Sequence, residues 1–218
     1  MKNDKAHLIA FVGVMFALIF VLFLLESLVL APAGMTACIL SLPVAIALSV
    51  YDDWKKSFVG GTLLGVCSAI FCLIFSSAYL PYANPLISVL PRFFIGIAAY
   101  WTYFGLSKLC KSAKNKYVRE TLPLAIAGAV GAITNTVLYM LSLYIWSGWL
   151  SSYYGTEITT VIGVLTIVYF FVEITACFIL VPLYVKALQK VSGKFIDKYK
   201  VEKIVTGDSI ETQDNENG

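Results

Sequence analysis

Apolar residues run along this chain in long blocks, interrupted by short clusters of charge, glycine and proline. The blocks lie at about His7 to Leu30, Met35 to Val50, Ser57 to Leu80, Pro85 to Leu109, Leu122 to Trp146 and Thr160 to Leu188. A membrane-crossing helix needs about 20 predominantly apolar residues, so this pattern predicts six transmembrane helices. The second block is short for a full crossing and is expected to be tilted, partial or broken at Pro43. After helix six the character changes. Residues 191–218 form a polar tail that turns acidic from Asp208 and is expected to be disordered.

Composition agrees. Of the 218 residues only 13% are charged while 59% are hydrophobic, and the mean hydropathy is +0.83. A soluble domain carries roughly 25% charged residues, so the fold class expected is an all-α integral membrane protein, with residues 1–190 as a six-helix bundle. The basic residues fix an orientation. Lys2 and Lys5 precede helix one, Lys55 and Lys56 separate helices two and three, and Lys108 to Arg119 separate four and five. The remaining lysines, from Lys186 to Lys203, follow helix six, so every basic residue except Arg92 falls on one side. The positive-inside rule then places both termini in the cytoplasm. The lysines are scattered over short loops and a tail, which predicts no folded basic face and no nucleic-acid partner. Five cysteines, Cys38, Cys67, Cys72, Cys110 and Cys177, sit in or at the ends of apolar blocks without metal-ligand spacing, and read as small packing residues.

The exception, Arg92, lies in Asn84-Pro85-Leu86-Ile87-Ser88-Val89-Leu90-Pro91-Arg92, at the head of the fourth block. A charge at membrane depth is costly and normally faces a cavity or a partner; the alternative is an arginine that snorkels to the interface. Helix five begins with small residues and then offers Thr134, Asn135 and Thr136, and helical spacing aligns Gly128, Gly131, Asn135 and Tyr139 on one face. Small residues let a neighbouring helix approach closely, and Asn135 is either interhelical glue or a reader of an amide or hydroxyl. Glu173 in helix six falls at a depth similar to Asn135, with Arg92 about 10 Å nearer the outside. Either Arg92 and Glu173 form a structural ion pair, or Arg92 meets an anionic ligand while Asn135 and Glu173 read its polar remainder. Glu26 is a weaker candidate for the same site. The aromatic stretch Ser147 to Gly155 reads as a loop, either an interfacial belt or a lid.

Neither a P-loop nor a catalytic constellation is present, and the single histidine is His7. These residues support binding; they give no catalytic residue, metal ligand or cofactor, and the chain is not expected to be an enzyme.

Together, Asn-Pro-Leu-Ile-Ser-Val-Leu-Pro-Arg at 84–92 and Gly-Ala-Ile-Thr-Asn-Thr-Val-Leu at 131–138 resemble the substrate-binding S components of energy-coupling factor (ECF) vitamin transporters. The pantothenate type is most similar, with hydroxymethylpyrimidine-type members as near relatives, and the resemblance covers roughly Ala6 to Lys190. It implies a subunit in a bacterial plasma membrane that binds a water-soluble vitamin from outside. It also implies partners: a transmembrane coupling protein and two ATPase subunits that supply the hydrolysis. Carried onto this sequence, the substrate-binding residues are Asn84, Ser88, Arg92, Asn135, Tyr139 and Glu173, and the coupling-protein contact is Ala10, Gly13 and Ala17 in helix one. Two departures leave the vitamin open. Tyr169 to Glu173 keeps only the glutamate of an expected Asn-x-x-Pro-Glu, and Tyr139-Met140 replaces an aliphatic-glycine pair. Pantothenate would suit Arg92, whereas a neutral pyrimidine would rather use Asn135 and the aromatics. The competing class is a structural membrane protein of cell-envelope assembly, which would leave Arg92 and Glu173 simply paired.

Overall fold

The computed structural model describes residues 2–30, 38–51, 57–75, 84–154 and 156–192, and these are helical with no strand among them. Nine α-helices follow in order: α1 (Lys2–Leu30), α2 (Ser41–Tyr51), α3 (Phe58–Phe75), α4 (Pro85–Ser88), α5 (Leu90–Leu109), α6 (Lys116–Glu120), α7 (Leu122–Ile145), α8 (Ser147–Tyr154) and α9 (Thr156–Ser192). Four stretches are long and apolar enough to cross a membrane: Val12–Val29, Pro85–Ser112, Leu122–Ile145 and Tyr169–Lys190. The described parts of helices two and three, Ser41–Tyr51 and Phe58–Ile74, are apolar but shorter. The chain is therefore an all-helical protein with four membrane-spanning candidates. The tail beyond Ser192, and Lys55 and Lys56, lie outside the described residues.

Helix α2 is the centre of the bundle. Every residue from Ser41 to Val50 is buried, and α2 touches α1, α3, α5, α7 and α9. Its 11 residues rise about 16 Å, roughly half the hydrocarbon thickness. Pro43 does not break it. The proline sits in the first turn, where a missing N–H removes no intrahelical bond. Around α2, α3 packs on α5, α5 on α7 and α7 on α9, with α1 against α2 and α3.

The outer faces of this bundle are apolar. On α1 the buried stripe is Met15, Ile19, Phe23 and Glu26, at helical spacing, while Val14, Leu18, Val21 and Leu25 point outward at 42–63% exposure. Trp101, Leu141, Phe171 and Leu183 continue the exposed apolar surface on α5, α7 and α9. Water-soluble monomers rarely tolerate apolar patches of that extent, and a lipid surround removes their cost.

Two elements differ from the sequence expectation. The fourth block is broken at Val89 into α4 and α5. Pro91 has no N–H for the carbonyl of Ile87, and it disfavours helical geometry at Leu90. The stretch read as a loop from Ser147 is mostly helix, because Leu150 on α8 buries itself against Ile87 and Leu143.

Candidate ligand-binding site

Arg92 stands in the first turn of α5 and is 8% exposed. Its Nη1 donates to the Ser88 carbonyl at 2.7 Å and to Ser88 Oγ at 3.4 Å. The helix break is what frees that carbonyl for the guanidinium. Ser88 is held in turn, since its hydroxyl donates to the Gly65 carbonyl of α3 at 3.1 Å. The guanidinium carbon lies 5.9 Å from the centroid of the Tyr139 ring, within cation–π range. Buried Nε has no acceptor, and among the described residues the one salt bridge is Arg119–Glu120. Arg92 is thus a buried cation without a carboxylate.

Asn135 is also incompletely satisfied. It is 6% exposed, and its Oδ1 is buried without a donor. The glycines below it bring α7 close to its neighbours: a Cβ on Gly128 would meet the Cys177 carbonyl oxygen at 2.5 Å, and one on Gly131 would meet Ile46 Cδ1 at 2.7 Å. Helices α5 and α7 run antiparallel, with Ala99 beside Gly131 and Arg92 beside Tyr139. In that register Asn135 lies one turn, about 6 Å, deeper than Arg92, less than the 10 Å expected. Arg92, Tyr139 and Asn135 therefore form a single column along the α5–α7 seam. An acceptor is missing at its upper end and a donor at its lower end.

The other expected residues have different duties. Asn84 is the N-cap of α4, its side chain accepting the Leu86 N–H at 3.0 Å. Ser88 is buried and positions Arg92. Glu173, buried on α9, accepts the Cys38 N–H at 3.0 Å and the Thr136 hydroxyl at 3.4 Å. It is level with Asn135 as expected but makes no ion pair with Arg92. Gly13 and Ala17 lie on the outward face of α1, with open space around Gly13, and the side chain of Ala10 lies outside the described residues.

Glu26 has a role that sequence reasoning missed. Its carboxylate accepts the Leu40 N–H, the Ser41 N–H and the Ser41 hydroxyl, the last at 2.6 Å. Glu26 and Glu173, from the first and last helices, together cap the buried start of α2. Carboxylates suit that place because the leading N–H groups of a helix are unsatisfied and carry partial positive charge. Nothing local in the sequence marks this cap, whose acceptors lie 15 and 135 residues from their donors. Glu26→Ala should lower stability by about 1–3 kcal/mol, the cost of stranding buried donors, and Glu26→Gln should recover part of it. Thermal unfolding in detergent checks both; equal melting of Glu26→Ala and wild type would remove Glu26 from this role.

No protein-family model, curated protein or solved structure matches the chain.

Proposed function

We propose that this chain is the membrane-embedded substrate-binding subunit of an ECF-type ABC transporter that imports a water-soluble vitamin or precursor, pantothenate being favoured. The observation that carries the reading is the buried, carboxylate-free guanidinium of Arg92, one turn above an Asn135 carbonyl that lacks a donor. A buried charge costs several kcal/mol and is retained where something compensates it. A ligand carboxylate would supply the acceptor at Arg92, and an amide N–H or hydroxyl of the same ligand would supply the donor at Asn135. Pantothenate has both groups. In this reading all six apolar blocks contribute to the membrane bundle, both termini are cytoplasmic, and the membrane is a bacterial plasma membrane. The coupling protein docks on the Gly13–Ala17 face of α1, with two ATPase subunits beyond it.

The structural-protein reading requires Arg92 and Glu173 to neutralise each other. Glu173 is instead engaged with α2 and Thr136, which favours binding.

Native mass spectrometry of the detergent-purified chain tests the proposal. Gentle release should yield a co-purified small acid, or the emptied chain should take up pantothenate from a vitamin panel. A chain that carries nothing and ignores the whole panel would return the protein to the structural class.

A further inference from the structure

The fold gathers a basic face that the scattered lysines did not predict. Between α5 and α7 the chain turns through Cys110–Ser112 and the short α6, and Lys111, Lys114 and Lys116 there are all exposed. Lys186 on α9 donates its ammonium proton to Thr121 Oγ1 at 2.9 Å, which ties the end of α9 to the α6–α7 junction. Lys190, one turn further and exposed, joins the same face. The only acid on these stretches, Glu120, is already paired with Arg119 at 3.4 Å. Lys114, Lys116 and Lys190 have no ion-pair partner among the described residues.

We propose that this face, built by the α5–α7 connection and the end of α9, binds the headgroups of anionic phospholipids. Its position and its apolar residues select lipid over a soluble acidic protein. The face begins where the apolar stretch Pro85–Ser112 ends, at headgroup level for a helix that crosses the bilayer. Leu109, 79% exposed, and Tyr117, 58% exposed, interleave with the lysines. Apolar side chains among cations are what an interface offering both acyl chains and phosphates accommodates. Lys108 fits the same boundary: its ammonium folds back to 4.1 Å from the Phe104 ring centroid while its stem lies along the helix. The inference is independent of which vitamin, if any, the Arg92 column holds.

The test is lipid competition by native mass spectrometry, with the full chain offered equimolar phosphatidylglycerol and phosphatidylcholine in detergent. Wild type should retain phosphatidylglycerol preferentially. The preference should fall by about five-fold for each lysine neutralised in the series Lys114→Gln, Lys116→Gln, Lys190→Gln. These exposed substitutions should leave thermal unfolding within experimental error. For wild type itself, raised salt should erode the preference, a readout that needs no variant. Equal retention of the two lipids, or a preference that survives the triple substitution, overturns the proposal. So does binding of a poly-glutamate peptide without any phosphatidylglycerol preference, which would assign the face to an acidic protein.

Discussion

Arg92→Met should abolish capture of an acidic ligand and leave the protein at least as stable as wild type. The two halves follow from one fact, that the guanidinium is buried at 8% exposure with no carboxylate beside it. Hydrogen bonds to charged groups are worth about 1.5–3 kcal/mol each, so losing one contact weakens binding by roughly 10- to 150-fold, and losing a bidentate pair by more. Stability moves the other way. Removing half of a buried ion pair normally costs 3–5 kcal/mol because the partner is left uncompensated. No partner exists here, and the only protein acceptors lost belong to Ser88, whose hydroxyl keeps its bond to Gly65. An unbranched apolar side chain of similar length fills the space and removes a desolvated charge. Isothermal titration with pantothenate and thermal unfolding of the same preparations separate the outcomes. A variant that binds normally would sink the ligand assignment. One that melts many degrees lower would make Arg92 a structural residue.

What the sequence revealed, and what it hid, divides along the range of the interactions involved. The apolar blocks and their flanking charges are signals local to each helix, and they located the helices to within a few residues at most described ends. Arg92 and Asn135 also stood out locally, as polar atoms in apolar surroundings. Their relation to each other did not, because it depends on the register between α5 and α7. That register comes from close contacts at Gly131 and Ala99 that no single helix discloses. The carboxylates show the limit most clearly. Glu26 and Glu173 were equally conspicuous as membrane charges, yet both proved to cap α2 instead of completing the Arg92 column. A charge in a membrane segment announces that it must be compensated. Whether backbone, side chain or ligand compensates it is a tertiary matter. The basic face followed the same logic, for it took the Lys186–Thr121 contact to bring two distant groups of lysines together.

The α3–α5 seam beneath Arg92 leads to a second large effect, with opposite signs at two glycines of one helix. A Cβ on Gly96 would lie 1.8 Å from the Ser57 carbonyl oxygen and 2.5 Å from Ser49 Oγ, whereas one on Gly105, three turns along α5, meets nothing within 4 Å. Gly96→Ala should therefore destabilise by at least about 1–3 kcal/mol, since a backbone carbonyl cannot rotate away as a flexible side chain would. Gly105→Ala should be neutral or stabilising by up to about 1 kcal/mol, the helix-propensity gain of alanine over glycine. Facing Gly96 across the seam, Gly61 has the Arg92 carbonyl oxygen 2.0 Å from its would-be Cβ. Gly61→Ala must push α3 away from the first turn of α5, and with it the Gly65 carbonyl that anchors Ser88. That variant should lose stability and ligand affinity together, whereas Arg92→Met loses affinity alone. Melting curves and titrations on Gly61→Ala, Gly96→Ala and Gly105→Ala measure the pattern. Should all three glycines tolerate alanine equally, α3 and α5 do not approach as closely as this packing requires, and the support proposed for Arg92 fails with it.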